Sequence, residues 1–175
     1  MIAGERAVKR SPSTIAARIG LRGGAPARAG QETRSSTAIG KWKGKKIVLA
    51  MLYPKCTSAC PFIVEKLKKI QKKLDAEGTK AEFVLVSLDT EEESTDRLQM
   101  YRKHMGLTAE NWHFLFGKEK EVRTFSNLIH VRYWRNPKSK DINHDNVVLL
   151  LDEKGATARR LEGLDAPVDK LFAEK

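Results

Sequence analysis

The chain has 175 residues, 41% of them apolar, and a formal net charge of +11 at pH 7. This length suits one domain, and the apolar fraction is enough for one hydrophobic core, so composition excludes wholesale disorder. No apolar run approaches the roughly 20 residues of a membrane-spanning helix. Two cysteines are too few for a small domain stapled by disulfides.

The positive charge is concentrated at the start of the chain, where residues 1–35 carry a net +5. Residues 1–40 are rich in Gly, Ala, Arg and Ser and lack the apolar stretch of a secretory signal. We interpret them as a disordered leader or a misassigned N-terminus. Nucleic-acid binding is not favoured, because no basic stripe with interleaved aromatic residues is present. A basic surface instead steers encounters with an acidic partner protein.

From residue 41 onward, the apolar pattern predicts alternating strands and helices. Residues 47–53 form a continuous apolar run of buried-strand length. The helix expected over 61–75 has apolar residues on one face, and residues 81–89 form a second strand, which completes a β-α-β unit. Further elements are predicted in order: a helix opening at 91–94, a strand over 112–116, a helix over 118–129, an extended segment over 131–134, strands over 146–152 and 156–161, and a terminal helix from 165.

This order of elements is typical of a thioredoxin-like fold. A β-α-β unit requires parallel strands, whereas the glycine turn at residues 153–155 indicates an antiparallel hairpin. We therefore predict an α/β domain over residues 41–175. It has a central mixed sheet with flanking helices, followed by a C-terminal β-hairpin and a helix.

The most informative motif is Cys56-Thr-Ser-Ala-Cys60-Pro61, which follows the first strand and opens the first helix. In open α/β sheets, ligands bind at the carboxyl ends of strands. The free amides and the positive dipole of a helix start favour a thiolate, and Lys55 adds positive charge. Two cysteines at this spacing suit either a disulfide or a two-thiolate metal site. Two inert core cysteines fit poorly with the polar residues of the loop.

Among the four histidines, His144 is the strongest candidate ligand. It lies in the polar segment 141–146, which we predict to be a loop before an apolar strand, and this place packs beside the cysteine loop in a thioredoxin-like fold. We expect structural roles for His113 and His130 and a surface position for His104. Two thiolates suit Cu(I), an added imidazole suits Cu(II), and zinc would want a fourth ligand.

Together these motifs resemble the Sco/SenC family of copper-binding proteins over about residues 41–165. The similarity rests on Gly44-Lys45-Lys46-Ile-Val-Leu, the Cys-x-x-x-Cys-Pro loop, Val86-Ser-Leu-Asp89, and Asn143-His144-Asp145 before a strand ending in Asp152-Glu-Lys-Gly155. The resemblance implies one copper ion per chain, bound by Cys56, Cys60 and His144. It also implies a role in assembling the CuA site of cytochrome c oxidase in the respiratory chain, by copper delivery, thiol reduction or both. Asp89 matches the family's acidic position after the second strand, where we expect it to support the ligands or shape the surface.

The resemblance also sets expectations for the partner and the compartment. The partner would be a copper-receiving oxidase subunit or another copper protein, with an acidic surface. The compartment would be the periplasm or the envelope side of the inner membrane, or the mitochondrial intermembrane space in a eukaryote. No signal or anchor is visible, so membrane association would come through a partner or a missing anchor. Residues 1–40 offer no match for the extra strand pair that usually opens the domain in this family.

A thiol–disulfide oxidoreductase is the main alternative, with Cys56 and Cys60 as its catalytic pair and copper secondary. Thioredoxin-type redox sites have two residues between the cysteines, whereas this loop has three. They also have a proline before the strand facing the disulfide, where this chain has Asn143-His144-Asp145. Both differences favour a metal, although two thiols near a helix start remain redox-competent. An interaction module with structural cysteines is a further alternative.

Overall fold

The computed structural model describes residues 22–23, 39–56 and 58–172. Its strands are β1 (Arg22–Gly23), β2 (Lys46–Leu52), β3 (Ala81–Ser87), β4 (Trp112–Phe116), β5 (Tyr133–Arg135), β6 (Ile142–His144), β7 (Val147–Leu151) and β8 (Thr157–Glu162). Its helices are α1 (Ala59–Ala76), α2 (Thr95–His104) and α3 (Glu119–Leu128), with 3-10 turns at Ile39–Trp42 and Val168–Leu171. In the described part of the chain, no helix combines the length and apolarity needed to cross a membrane.

Six strands form one mixed sheet in the order β1-β4-β3-β2-β7-β8. Strands β2, β3 and β4 run parallel, whereas β7 pairs antiparallel with β2 and then with β8. Strand β2 is central, and every residue from Ile47 to Leu52 is at most 1% exposed. A strand covered on both faces needs such a continuous apolar run, which explains why the sequence signal was clear.

Helix α1 packs against the sheet through an apolar face that includes Ile63, Leu67, Ile70 and Leu74, all at most 3% exposed. These residues recur at helical spacing, so one stripe of the helix faces the core. The helix begins at Ala59, two residues before the predicted start. The cysteine of its first turn therefore belongs to the helix and lies on the buried face.

A two-stranded sheet, β5 and β6, lies apart from the main sheet and pairs Tyr133 with His144. The prediction of a loop over residues 141–146 is wrong at this point, because His144 is the last residue of strand β6. Each strand has three residues, which is too short for an alternating pattern to be recognised. Buried Tyr133 and Ile142 anchor this hairpin to the core.

The two ends of the domain differ from the predictions. The two-residue strand β1 extends the sheet by pairing antiparallel with β4, although no signal for a strand was found there. Apart from residues 22–23 and 39–40, the segment interpreted as a leader lies outside the described residues. The predicted terminal helix is a 3-10 turn of four residues, Val168–Leu171, and residues 173–175 lie outside the described part.

Candidate metal centre

The sheet topology brings the cysteine loop and the β5–β6 hairpin to the same edge. Strands β2 and β7 are antiparallel neighbours, with Ala50 opposite Val148, so the end of β2 lies beside the start of β7. Cys56 follows β2, Cys60 lies in the first turn of α1, and His144 precedes β7. Sequence reasoning predicted this juxtaposition from the expected fold.

Cys60 and His144 are in direct contact. The Sγ atom of Cys60 lies 3.6 Å from Nε2 of His144. The Cys60 side chain is fully buried, and the backbone amide of Tyr53 donates to its sulfur at 3.3 Å. The sulfur is therefore fixed between the end of β2 and the imidazole.

The imidazole of His144 is held in one tautomer by its own neighbour. Its Nδ1 atom lies 3.0 Å from the backbone oxygen of Asp145, which can only accept, so Nδ1 carries the hydrogen. The lone pair is consequently on Nε2, the atom that faces Cys60. Burial lowers the pKa of His144, against the smaller raising effect of the Asp145 carbonyl. A neutral imidazole with a free Nε2 is the form that binds metals.

Cys56 is the more acidic of the two thiols. Burial alone would raise its pKa, but hydrogen bonds from the Ser58 hydroxyl and from the amides of Cys60, Ser58 and Ala59 lower it to about 7. The Ser58 oxygen lies 3.5 Å from the sulfur. These amides belong to the start of α1, where unpaired donors stabilise an anion. A large fraction of Cys56 is therefore thiolate at neutral pH.

Cys60 has the opposite character, because burial raises the pKa of its thiol to about 12. The Tyr53 amide opposes this rise, whereas the nearby Cys56 sulfur adds to it. Cys60 is therefore a neutral thiol at pH 7, and its sulfur faces Nε2 of His144. One site thus contains an accessible thiolate and a buried thiol.

Both cysteines are free thiols. Among the described residues, no group of three or more His, Cys, Asp and Glu side chains is already placed to hold a metal ion. The structure thus brings Cys60 and His144 into contact, while the Cys56 sulfur interacts with that of Cys60 and lies within hydrogen-bond distance of Ser58. Ser58 and Tyr53 were not singled out from the sequence. Ser58 could have been, because a hydroxyl between two cysteines is a ready donor.

Asp89 lies just beyond the carboxyl end of β3 and is buried, at 3% exposure. Its carboxylate accepts from Arg135 at 3.1 Å and from the amide of Glu92 at 3.3 Å, and Lys55 lies 3.8 Å away. Asp89 is thus placed between the residue preceding Cys56 and the hairpin that carries His144.

The other histidines lie away from the sulfurs. Nε2 of His113, on β4, is 2.6 Å from the carboxylate of Glu82, on β3, which is the structural type of role expected for it. His104 is exposed, as predicted, whereas His130 is also exposed and has a positive φ of 53°. His130 follows the end of helix α3, so its side chain is exposed although its apolar neighbours Ile129 and Val131 are buried.

Comparison with known proteins identifies the family. A family model described as SCO1/SenC matches residues 28–174. A SCO1 protein homolog of Bacillus subtilis (strain 168) is 23% identical over 135 residues, covering 75% of this chain and 70% of that protein.

Solved structures confirm the thioredoxin-like α/β fold. A SCO1/SenC family lipoprotein from Bacillus anthracis str. Ames has a TM-score of 0.71 at 21% identity, covering 78% of this chain and 82% of its own. Arabidopsis thaliana ScoI, solved with copper bound, has a TM-score of 0.66 at 21% identity, covering 75% of this chain and 82% of its own. Since the family model spans most of the sequence, this chain belongs to the SCO1/SenC family.

Proposed function

We propose that this protein is a copper metallochaperone that holds one copper ion per chain through Cys56, Cys60 and His144. The contact at 3.6 Å between Cys60 and the unprotonated Nε2 of His144 carries the proposal. It supports a site in which sulfur and nitrogen donors face the same point. Two thiolates are suited to Cu(I), and the additional imidazole is suited to Cu(II). Copper bound to Arabidopsis thaliana ScoI supports the choice of metal.

The donor set suits transfer of the metal rather than its permanent storage. Three protein ligands leave a coordination position open for a ligand from a receiving protein. Cys56 is partly exposed and about half ionised near pH 7, so it is the ligand that a partner reaches first. Cys60 and His144 are further inside and hold the ion until transfer is complete.

The partner in this proposal is a copper-receiving oxidase subunit or another copper protein, and the outcome is assembly of the CuA site of cytochrome c oxidase. Family membership supports this assignment. The net charge of +11 supports an acidic docking surface on the partner, because opposite charges speed encounter. The lipoprotein from Bacillus anthracis supports a location in the cell envelope. In this proposal the protein meets the oxidase subunit there.

Reduction of a partner disulfide is the second candidate function, and the pKa of about 7 for Cys56 favours it. The Cys56 thiolate would attack the partner's disulfide and form a mixed disulfide, releasing one partner thiol. Cys60 would then lose its proton and displace the second partner sulfur, leaving a Cys56–Cys60 disulfide. The two electrons lost by these cysteines reduce the partner.

Copper titration of the reduced protein tests the main proposal. We expect one ion per chain in both oxidation states, and loss of binding when both cysteines are replaced by serine. His144→Ala is expected to weaken Cu(II) far more than Cu(I), whereas His104→Ala, which alters an exposed histidine, is the control. Unchanged affinities in His144→Ala would overturn the ligand assignment. Turnover of a disulfide substrate by metal-free protein that does not bind copper would favour the second candidate.

A further inference from the structure

A network of ion pairs connects the hairpin that carries His144 to the loop that carries Cys56. Arg135, the last residue of β5, donates from Nη2 to Oδ1 of Asp89 at 3.1 Å. The ammonium group of Lys55, the residue before Cys56, lies 3.8 Å from Oδ2 of the same carboxylate. One aspartate therefore contacts both segments that present the proposed ligands.

The central pair of this network is shielded from water. The side chain of Asp89 is 4% exposed and that of Arg135 is 21% exposed. Removing the guanidinium leaves the buried Asp89 carboxylate with only the more distant Lys55 ammonium as a counter-charge, which is more disruptive than loss of a surface pair. By contrast, Glu92, which pairs with Lys55 and Arg97 at the rim, is 53% exposed. The rim pairs contribute little because water screens them.

Arg135 also fixes the internal shape of the hairpin. Its Nη1 donates to the backbone oxygen of Lys140 at 3.0 Å, across the turn between β5 and β6. Within the pairing of the two strands, Arg135 lies opposite Ile142, two residues before His144. A single guanidinium therefore closes the hairpin turn and docks the hairpin onto Asp89.

We infer that Arg135 is a positioning residue, which acts through Asp89 to hold the β5–β6 hairpin so that His144 faces Cys60. The part that concerns copper rests on the proposed function. The part that concerns the hairpin does not, because it is a statement about the metal-free protein. Loss of the guanidinium frees the hairpin and lowers the fraction of molecules in which Nε2 of His144 faces the Cys60 sulfur. The affinity for a metal ion that needs the imidazole therefore falls.

The test compares Arg135→Ala, Arg135→Lys and Lys138→Ala. Lys138 is an exposed cation in the same hairpin turn, so its replacement removes the same charge without touching Asp89. Hydrogen exchange of the metal-free protein is followed at two hairpin amides, those of Asn136 and Asp145, which donate to the backbone oxygens of Asp141 and Arg132. An amide of strand β2 reports global unfolding.

We expect exchange of both hairpin amides in Arg135→Ala to accelerate about tenfold or more, beyond any change at the β2 amide. Cu(II) affinity should fall about tenfold while Cu(I) affinity stays within about twofold, since two thiolates suffice for Cu(I). Arg135→Lys should show smaller changes than Arg135→Ala in both exchange rate and Cu(II) affinity. Lys138→Ala should change neither. Unchanged hairpin exchange in Arg135→Ala, or an equal effect in Lys138→Ala, would overturn the inference. A wild-type protein that binds no copper would overturn the proposed function alone, because the exchange measurement decides the role of Arg135 without metal.

Discussion

The sulfur of Cys60 and Nε2 of His144 lie 3.6 Å apart although 84 positions separate the two residues along the chain. The contact follows from the antiparallel pairing of β2 with β7, which places the end of one strand beside the start of the other. The imidazole itself is carried by the separate β5–β6 hairpin, so its position also depends on how that hairpin is held. Cys56, in contrast, lies in the connecting loop before α1, and its environment is set by the helix start.

The difference between the two thiols predicts selective alkylation. In reduced, metal-free protein at pH 7, we expect iodoacetamide to modify Cys56 at least about a hundredfold faster than Cys60. The thiolate is the reactive form, so the rate at Cys56 should rise with pH and reach half its maximum near pH 7, in keeping with its pKa of about 7. Mass spectrometry of quenched samples measures both rates.

Ser58→Ala provides the internal check on this explanation. Loss of the hydroxyl that lies 3.5 Å from the Cys56 sulfur should raise the pKa of Cys56 and move the midpoint of the rate profile to higher pH. Similar rates at the two cysteines, or an unmoved midpoint in Ser58→Ala, would contradict the assignment of the acidic thiol.

Glu82 and His113 predict a pH-dependent contribution to stability. Burial alone would raise the pKa of Glu82, but hydrogen bonds from Lys45 and His113 outweigh it and lower the pKa below the usual value. Ionised Glu82 therefore stabilises the fold above the pKa of the unfolded chain, about 4.5, and this contribution is lost as the pH falls through the lower native value. Glu82→Gln should lower the free energy of unfolding by about 1–3 kcal/mol at pH 7.

Denaturant unfolding of both proteins between pH 3 and pH 7.5 measures that difference, which should shrink as the pH falls below about 4.5. Glu77→Gln, at an exposed position just after α1, is the matched control and should leave stability nearly unchanged. A deficit in Glu82→Gln that stays constant down to pH 3 would show that packing, and not the charge of Glu82, is responsible.

The elements predicted correctly from the sequence are those whose signal is continuous along the chain. Strands β2, β3 and β7 are apolar runs, and α1 has a clear apolar stripe. The extended segment predicted over 131–134 overlaps β5, whereas β6 and the pairing of the two strands were missed because strands of three residues leave no period to recognise.

The details of the site depend on contacts that sequence spacing does not encode. Asp89 and Arg135 are 46 positions apart, and nothing in either local sequence indicates that they pair. The tautomer of His144 depends on a backbone oxygen, which every residue has. The residue types and the fold could thus be predicted, whereas the hydrogen bonds that tune them could not.

Two tyrosines predict opposite effects of losing a hydroxyl group. The Tyr101 oxygen is buried and makes no hydrogen bond with the described residues. The ring itself packs edge-on against Phe114 at 6.2 Å. Tyr101→Phe keeps this packing and removes an unsatisfied group, so the free energy of unfolding should rise by about 1 kcal/mol.

Tyr133→Phe is the counterpart, because the Tyr133 hydroxyl donates to Glu119 at 3.1 Å. Its loss should lower the free energy of unfolding by about 0.5–1.5 kcal/mol. Thermal and denaturant unfolding of the two variants under the same conditions give the signs directly. Destabilisation by Tyr101→Phe would mean that its hydroxyl is satisfied in solution.

Gly78 and Gly106 have the same backbone conformation, so we expect their replacement to change the free energy of unfolding by the same amount. Each follows the C-terminus of a helix with φ of +66°, and at neither position would an added Cβ meet another atom within 4 Å. In both turns the following residue closes a bond five residues back, from Thr79 to Leu74 and from Leu107 to Arg102. A left-handed residue at this place is typical of a Schellman motif.

Gly78→Ala and Gly106→Ala should therefore each lower the free energy of unfolding by about 1 kcal/mol, since the only penalty is that of a side chain in the left-handed region. Asparagine tolerates this conformation, so Gly78→Asn and Gly106→Asn should be less destabilising than the alanine variants. The two alanine substitutions lie in separate turns, and their effects should add within about 0.5 kcal/mol in the double variant. Urea unfolding of the four single variants and the double variant measures these values. A large difference between the two sites would show that contacts of the side chain, and not backbone conformation, decide the effect.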